Sequence, residues 1–278
     1  MSDQYKQWAD VGLDFEVNDG LAVLTLNRTQ VRNAVDRPLR VAIMDALSEV
    51  NLVPEIRAAL VTGAGTAFCS GADLGQVGGA LDLSPEHQRG THVHVGREDG
   101  LEYGWWRVIE KVWENKKPII AAVNGPAYGF GCNFAFSADI VIAAESARFC
   151  EIFVQRGLPL EASGAYLLTR SISLVRAKEL ALYGDTLSGE KAAEWGLANR
   201  CVPDAELMEV ATDWARRLAD GPTIGIGHIK SQINLGLDQN IRQTWRDEVT
   251  FLGMGIGDDG VEARAAFAER RQPVFKGL

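Results

Sequence analysis

Cysteine and histidine are scarce in this chain, at four residues each in 278. Cys69, Cys132, Cys150 and Cys201 stand far apart with no CxxC pair. That excludes zinc ribbons and dithiol redox motifs and argues for isolated, reduced, buried thiols. His87, His92 and His94 gather near Glu86, but the HExxH spacing of a helical metal site is absent, so no metal is expected. No apolar run approaches the roughly 18–20 residues that span a bilayer. Met1 to Asp10 is polar, without an apolar signal core. Neither a membrane nor export is therefore expected, and the expected compartment is the cytoplasm. Positive charge is in deficit, since 28 Lys and Arg against 37 Asp and Glu leave a net charge of −9. A nucleic-acid partner is disfavoured, because that affinity rests on Lys and Arg neutralising phosphates. A local cation cluster could still hold one phosphorylated ligand. Internal repeats, low-complexity tracts and Pro/Ser-rich linkers are missing as well.

What is present alternates between strand and helix patterns. Leu13–Val17 and Leu21–Leu26 flank Asn18-Asp19-Gly20, a turn between apolar runs that predicts a β-hairpin. Leu39, Ile43, Ala46, Leu47 and Val50 recur at helical spacing within Val35–Val53. Ile56–Thr62 predicts a strand, Leu101–Asn115 an aromatic-rich helix, Pro118–Val123 a buried strand, Gly131–Phe136 a short helix and Asp139–Ala143 another strand. This alternation implies an α/β fold with a mainly parallel sheet. From about Ser173 the pattern is nearly all helix, over Leu174–Tyr183, Gly189–Trp195, Ala205–Ala219, Ile224–Leu235, Arg242–Leu252 and Gly260–Arg271. With no linker before them, these helices read as an extension of the α/β unit used in assembly.

Two small-residue loops follow predicted strands, where ligands of open α/β sheets gather. One reads Phe68-Cys69-Ser70-Gly71-Ala72-Asp73-Leu74, the other Asn124-Gly125-Pro126-Ala127-Tyr128-Gly129-Phe130-Gly131-Cys132-Asn133. Small residues let a ligand approach the backbone, and two exposed N–H groups could grip one carbonyl oxygen; equally, the glycines could do no more than close tight turns. Taken with Leu26-Asn27-Arg28, Arg32-Asn33-Ala34, Asp139–Phe149 and Phe275-Lys276, these loops resemble the crotonase (enoyl-CoA hydratase/isomerase) family over nearly the whole chain. The resemblance implies a crotonase-like spiral of ββα units over residues 1–200 and a helical C-terminal trimerisation region over 201–278 that forms part of the acyl-CoA site. It also implies an acyl-CoA thioester substrate, no cofactor beyond the coenzyme A that the substrate carries, and a homotrimer or dimer of trimers. By position it makes the backbone N–H groups of Ala72 and Phe130 the oxyanion donors, with Phe130 standing where many members have glycine. Around them it implies substrate contacts from Ala34, Gly71, Asp73, Leu74, Gly129, Asn133 and Phe153. It brings Arg28, Arg32 and Lys276 to the nucleotide region; surface solvation is the plainer reading of these three cations, and turn-fixing that of Asp73.

The family's hydratases add water with two glutamates, whose places are taken here by Asn133 and Phe153. Neither exchanges a proton near neutral pH, so two-glutamate hydration is disfavoured. Glu161, within Arg156-Gly157-Leu158-Pro159-Leu160-Glu161-Ala162-Ser163-Gly164, stands where the family's Δ3,Δ2-enoyl-CoA isomerases carry a single acid. A lone carboxylate suits that reaction: it takes a proton from C2, the enolate oxygen rests on two N–H donors, and the same acid returns the proton at C4. An apolar pocket would raise its pKa toward the working range. The competing reading makes Glu161 an N-cap or first-turn acid of the next helix. Glu151 is the nearest rival acid, two residues before Phe153 and on its face if the segment is extended. The expected activity is therefore enoyl-CoA isomerisation. Hydration or another crotonase reaction (hydrolase, lyase) is the alternative, and an acyl-CoA-binding protein without catalysis is the alternative of another class.

Weaker signals complete the picture. Gly75–Gly100 is polar and irregular and reads as a lid over the acyl pocket. Trp105 and Trp106 could line that pocket for a bulky or aromatic acyl group, or serve in core packing. Gly255-Ile256-Gly257-Asp258-Asp259-Gly260 matches a dinucleotide glycine pattern but lacks a preceding strand and room for a βαβ unit, so it reads as a helix break. Ser70 and Ser163 lack the strand–elbow context of a serine triad.

Overall fold

A computed structural model describes residues 3–73, 104–255 and 257–278. Leu74, the 75–100 stretch with its three histidines, and Ile256 lie outside the described residues. The chain opens with α1 (Asp3–Asp10) and the hairpin of β1 (Leu13–Asn18) and β2 (Leu21–Leu26). Asp19 and Gly20 turn it at φ 46° and 80°, the backbone of a two-residue turn matched to strand twist. Next comes α2 (Arg37–Leu52), whose N-cap Asp36 accepts the Leu39 N–H at 2.9 Å, satisfying one of the donors a helix start leaves open. Then β3 (Ala58–Gly63), α3 (Trp105–Trp113), β4 (Ile119–Val123), β5 (Pro126–Tyr128), α4 (Phe130–Phe136), β6 (Ile140–Ala144) and β7 (Arg148–Cys150) follow.

The rest of the chain holds α5 (Gly164–Ser171), α6 (Leu174–Tyr183), β8 (Leu187–Ser188), α7 (Gly189–Trp195), β9 (Arg200–Val202), α8 (Leu207–Ala219), α9 (Thr223–Gly236), α10 (Ile241–Gly253) and α11 (Gly257–Glu269). The main sheet runs β1-β2-β3-β4-β6-β9 and is parallel apart from the hairpin. A smaller sheet, β5-β7-β8, stands beside it. Both faces of the main sheet are covered, which is why β3 and β4 read as unbroken apolar runs. Leu24, Ala59, Val61, Ala121 and Val123 share a core with α2 and α3. Leu60, Ile120, Ala122 and Ile142 face the other way, onto Leu207, Ala211, Ala215 and Ala219 of α8. Alanine at every fourth position lets that helix lie close to the sheet.

The helical reading beyond Ser173 needs correction at two places, since β8 and β9 interrupt it. Strands of two and three residues are too short to show a period. The 255–260 segment does separate two helices, α10 and α11. Among the described residues no helix is long and apolar enough to cross a membrane.

Candidate active site

The two small-residue loops lie side by side beyond the carboxyl ends of β3 and β4. Phe68 and Cys69 both donate their N–H to Pro126 O at 3.1 Å, and Tyr128 N–H donates to Cys69 O at 2.9 Å. A Cβ on Gly131 would come within 2.2 Å of Cys69 O, so only glycine lets the loops approach this closely.

Two backbone donors emerge from this contact. Ala72 forms a parallel bridge with Val35, in which Val35 makes both hydrogen bonds: it donates to Gly71 O at 2.8 Å and accepts from Asp73 N–H at 2.9 Å. The Ala72 N–H therefore points away from Val35. Phe130 is the first residue of α4, where an N–H has no intrahelical acceptor. Gly129 before it adopts φ 53°, ψ −117°, a region open to glycine, and turns the chain into the helix. Ala72 and Phe130 line one cleft of about 100 Å³ together with Gly71, Gly129, Phe153 and Glu161. Two N–H groups bordering one cleft can hold one oxygen atom between them.

The rest of the cleft is mostly apolar: Trp105, Ile152, Leu158 and Ala162 line it, with Ser70 and Arg156. The Trp105 and Phe130 rings lie 4.6 Å apart, and Phe130 stacks on Phe134 at 5.5 Å. The Arg40 guanidinium covers Trp105 at 4.6 Å. Trp106 is exposed and does not line the cleft. Ile152, Leu158 and Arg156 were not singled out by sequence reasoning, because nothing in their spacing marks a loop wall.

Glu161 is the one acid lining the cleft among the described residues. It does not stand at a helix N-cap position. Ser163 occupies the N-cap position of α5, and its own side chain makes no capping hydrogen bond. The chain after Glu161 is bent by two consecutive left-handed residues, Ala162 (φ 49°) and Ser163 (φ 60°), a conformation that costs non-glycine residues about 1–2 kcal/mol each. Glu161 O accepts both Gly164 N–H and Asn133 Nδ2, each at 3.0 Å.

The other expected site residues among the described ones fall outside the cleft lining. Asn133, expected to touch substrate, is completely buried on the inner side of the Glu161 turn. Glu151 does not share a face with Phe153, because the chain turns after Cys150 into a short 3-10 helix at Val154–Arg156. Its carboxyl is completely buried, with Oε2 accepting from Asn133 Nδ2 at 3.3 Å. Burial pushes this carboxyl up to about 8, against the opposing pull of bonds from Asn133 and Cys132.

Arg28 turns inward. It pairs with Asp73 at 3.0 Å and Asp36 at 3.2 Å, and donates to Ala34 O at 2.6 Å. Asp73 thus fixes the turn behind Ala72. Arg32 is exposed at φ 52°, and its carbonyl accepts Ser70 N–H at 3.0 Å. Lys276 lies on the C-terminal tail, its N–H held by Asp259 Oδ1 at 2.6 Å. The pin of this region is Asn33, fully buried at φ 57°. It accepts Arg28 N–H at 2.9 Å and donates to Ala64 O at 3.0 Å and Ala67 O at 2.8 Å. A larger open groove of about 470 Å³ on α10, lined by Arg242, Trp245, Arg246 and Val249, carries no acid.

A family model described as enoyl-CoA hydratase/isomerase matches residues 16–278. A probable enoyl-CoA hydratase of Rhodobacter capsulatus is 36% identical over 95% of this chain and 97% of its own length. The 1,2-epoxyphenylacetyl-CoA isomerase of Escherichia coli is also 36% identical, over 94% of this chain and 97% of its own. The crystal structure of an enoyl-CoA hydratase from Bacillus anthracis superposes with a TM-score of 0.85 at 28% identity, covering 96% of this chain and all (100%) of that one.

Proposed function

The chain belongs to the enoyl-CoA hydratase/isomerase family, and from that premise we propose that it moves the double bond of an enoyl-CoA thioester from Δ3 to Δ2. The observation that carries this reading is the composition of the cleft: Ala72, Phe130 and Glu161 line it together, and no other acid does among the described residues. Glu161 as carboxylate takes a proton from C2. The C2–H electrons become a C1–C2 double bond, and the thioester oxygen takes the charge. The N–H groups of Ala72 and Phe130 hold that oxygen, each donor contributing about 2.7–4 kcal/mol to the transition state. Glu161, now protonated, returns the proton at C4, and the double bond settles between C2 and C3. A well-placed proton shuttle adds roughly 10²–10⁴-fold. No cofactor beyond the coenzyme A of the substrate enters.

A flat, bulky acyl group suits these walls, since the aromatic residues Trp105, Phe130 and Phe153 line the cleft. In the same reading the C-terminal helices form the contact between copies, as they leave Ile229, Ile233, Val249, Leu252 and Phe267 exposed. The test incubates the protein with straight-chain and aromatic Δ3-enoyl-CoA thioesters and follows mass and retention time. Unchanged mass with a new retention time is expected, and Glu161→Gln should abolish it while leaving thioester binding in place. A mass gain of one water would replace the reading by hydration. Binding without conversion would replace it by a thioester-binding protein.

A further inference from the structure

Beneath the cleft, the Asn133 side chain ties to the strained turn that carries Glu161. Asn133 Nδ2 donates to Glu161 O at 3.0 Å, and a Cβ on Gly164 would stand only 2.6 Å from that nitrogen. The amide therefore lies flat against the turn. Its other Nδ2 hydrogen goes to Glu151 Oε2 at 3.3 Å. Asn133 and Glu151 are both 0% exposed. Their remaining oxygens, Asn133 Oδ1 and Glu151 Oε1, are buried with no hydrogen-bond partner among the described residues. An ionised Glu151 would leave a charge in this enclosed place facing one long amide bond and the weak donor of the Cys132 thiol. A proton removes the charge and turns one of the two orphaned acceptors into a donor.

We propose that Glu151 is a positioning residue: through the Asn133 amide it holds the left-handed turn that presents Glu161 to the cleft. The kinetic part of this proposal rests on Glu161 being the proton shuttle; the structural part does not. The device works with Glu151 uncharged. Its carboxyl is held up to about 8 by burial. The titratable groups facing it are the Cys132 thiol on α4 and the Cys150 thiol on β7, with Asp185 beside Cys150 adding further negative charge. No cation faces it among these groups. Above about pH 8 the new charge draws the Asn133 amide toward Glu151 and away from Glu161 O, and the turn loosens.

The experiment compares wild type, Glu151→Ala, Glu151→Gln and Glu161→Gln by kcat, KM and hydrogen exchange of the Gly164 amide, from pH 6 to 9.5. Glu151→Ala is expected to lower kcat roughly 10- to 100-fold with KM nearly unchanged, since a misplaced reacting group costs turnover rather than affinity. Glu151→Gln, uncharged and of the same shape, should recover most of kcat at pH 7 and lose the fall above pH 8 that wild type shows. Gly164 exchange, corrected for the intrinsic rate, should quicken in Glu151→Ala and in wild type at pH 9.5, but not in Glu151→Gln. The proposal is overturned if Glu151→Ala changes neither kcat nor exchange, or if Glu151→Gln is as impaired as Glu151→Ala at pH 7. If Glu161→Gln keeps full turnover, the proton-shuttle reading fails, and Gly164 exchange alone decides the role of Glu151. If Glu151→Ala does not fold, wild type against Glu151→Gln across pH decides it.

Discussion

Gly131→Ala places a methyl group where the two site loops touch. The added Cβ would stand 2.2 Å from Cys69 O and 2.7 Å from Cys69 Cβ, whereas ordinary contact begins at 3.4 Å. Neither neighbour is the end of a flexible side chain, so the loops must part by about 1 Å. One loop carries Ala72 and the other Phe130, so the parting opens the gap between the two N–H donors. A displacement of that size at a reacting centre costs on the order of 100-fold in rate. Full loss of one donor, at about 2.7–4 kcal/mol, costs that or more. Overpacking itself costs about 1–3 kcal/mol of stability, which lowers the melting temperature by several degrees in a chain of this size. The assay is kcat on the converted Δ3-enoyl-CoA, run beside thermal melting. Gly253→Ala serves as the control, since a Cβ there meets nothing within 4 Å. A Gly131→Ala protein that melts like wild type and turns over within about threefold of it would refute the link between loop spacing and donor geometry.

Asn33→Ala should destabilise the fold by about 2–4 kcal/mol, because it strips bonds from one part-buried N–H and two carbonyls at once; chemical denaturation measures it, and a loss under ~0.5 kcal/mol would remove Asn33 as the pin of the Ala72 loop. Trp105→Ala removes the ring packed 4.6 Å from Phe130 and should shift preference from aromatic toward straight-chain acyl groups in kcat/KM; an unchanged ratio would take Trp105 out of acyl recognition. Stability should also report on Glu151. Its folded pKa, about 8, lies above the ordinary 4.5, so the folded state binds more protons than the unfolded between those values, and wild-type stability falls as pH rises through that window. Glu151→Gln escapes this loss, so its stability advantage should grow from pH 5 to pH 8 to the order of a few kcal/mol; parallel melting curves across that range would contradict a protonated Glu151.

Sequence pattern carried the fold as far as local period carries. The hairpin around Asp19-Gly20, the helix over Arg37–Leu52 and the buried strands β3 and β4 follow from turn chemistry and apolar spacing. The small sheet of β5, β7 and β8 could not be read in the same way, because strands of two or three residues show no alternation and their pairing is non-local. The site divides along the same line. The glycines at 71, 129 and 131 mark backbone that approaches backbone, and a sequence displays that directly. Glu161 was picked out by the family resemblance, which puts a single acid at its position, and it lines the cleft. The face of Glu151 was not, since it depends on whether the segment after Cys150 continues as strand or turns, and there it turns. Arg28 looked like a phosphate ligand until its two carboxylate partners, 8 and 45 residues away in sequence, were in place.

Asn133 and Phe153, where the resemblance puts the hydratases' two glutamates, are tied into other contacts here, and that yields a last prediction. Phe153 lines the cleft and would stand 3.7 Å from a Cβ on Gly129. Asn133 is a donor placed between two acceptors, Glu161 O and Glu151 Oε2. Asn133→Glu would exchange that donor for a longer carboxylate aimed at both. Gly164 packs against the same atoms, so the extra methylene has no room on that side. Three oxygen-bearing groups would then share one enclosed space with, at best, the protons of two carboxyls among them, and the strained turn at Ala162 and Ser163 would lose its tie. A glutamate at this position should therefore lower the proposed isomerisation by at least the roughly 10-fold expected of a misplaced acid and should yield no hydrated product. Mass spectrometry of the thioester after long incubation decides it: a water adduct formed by Asn133→Glu would show that the new carboxylate reaches the cleft, and that the Asn133 amide is not what holds Glu161 in place.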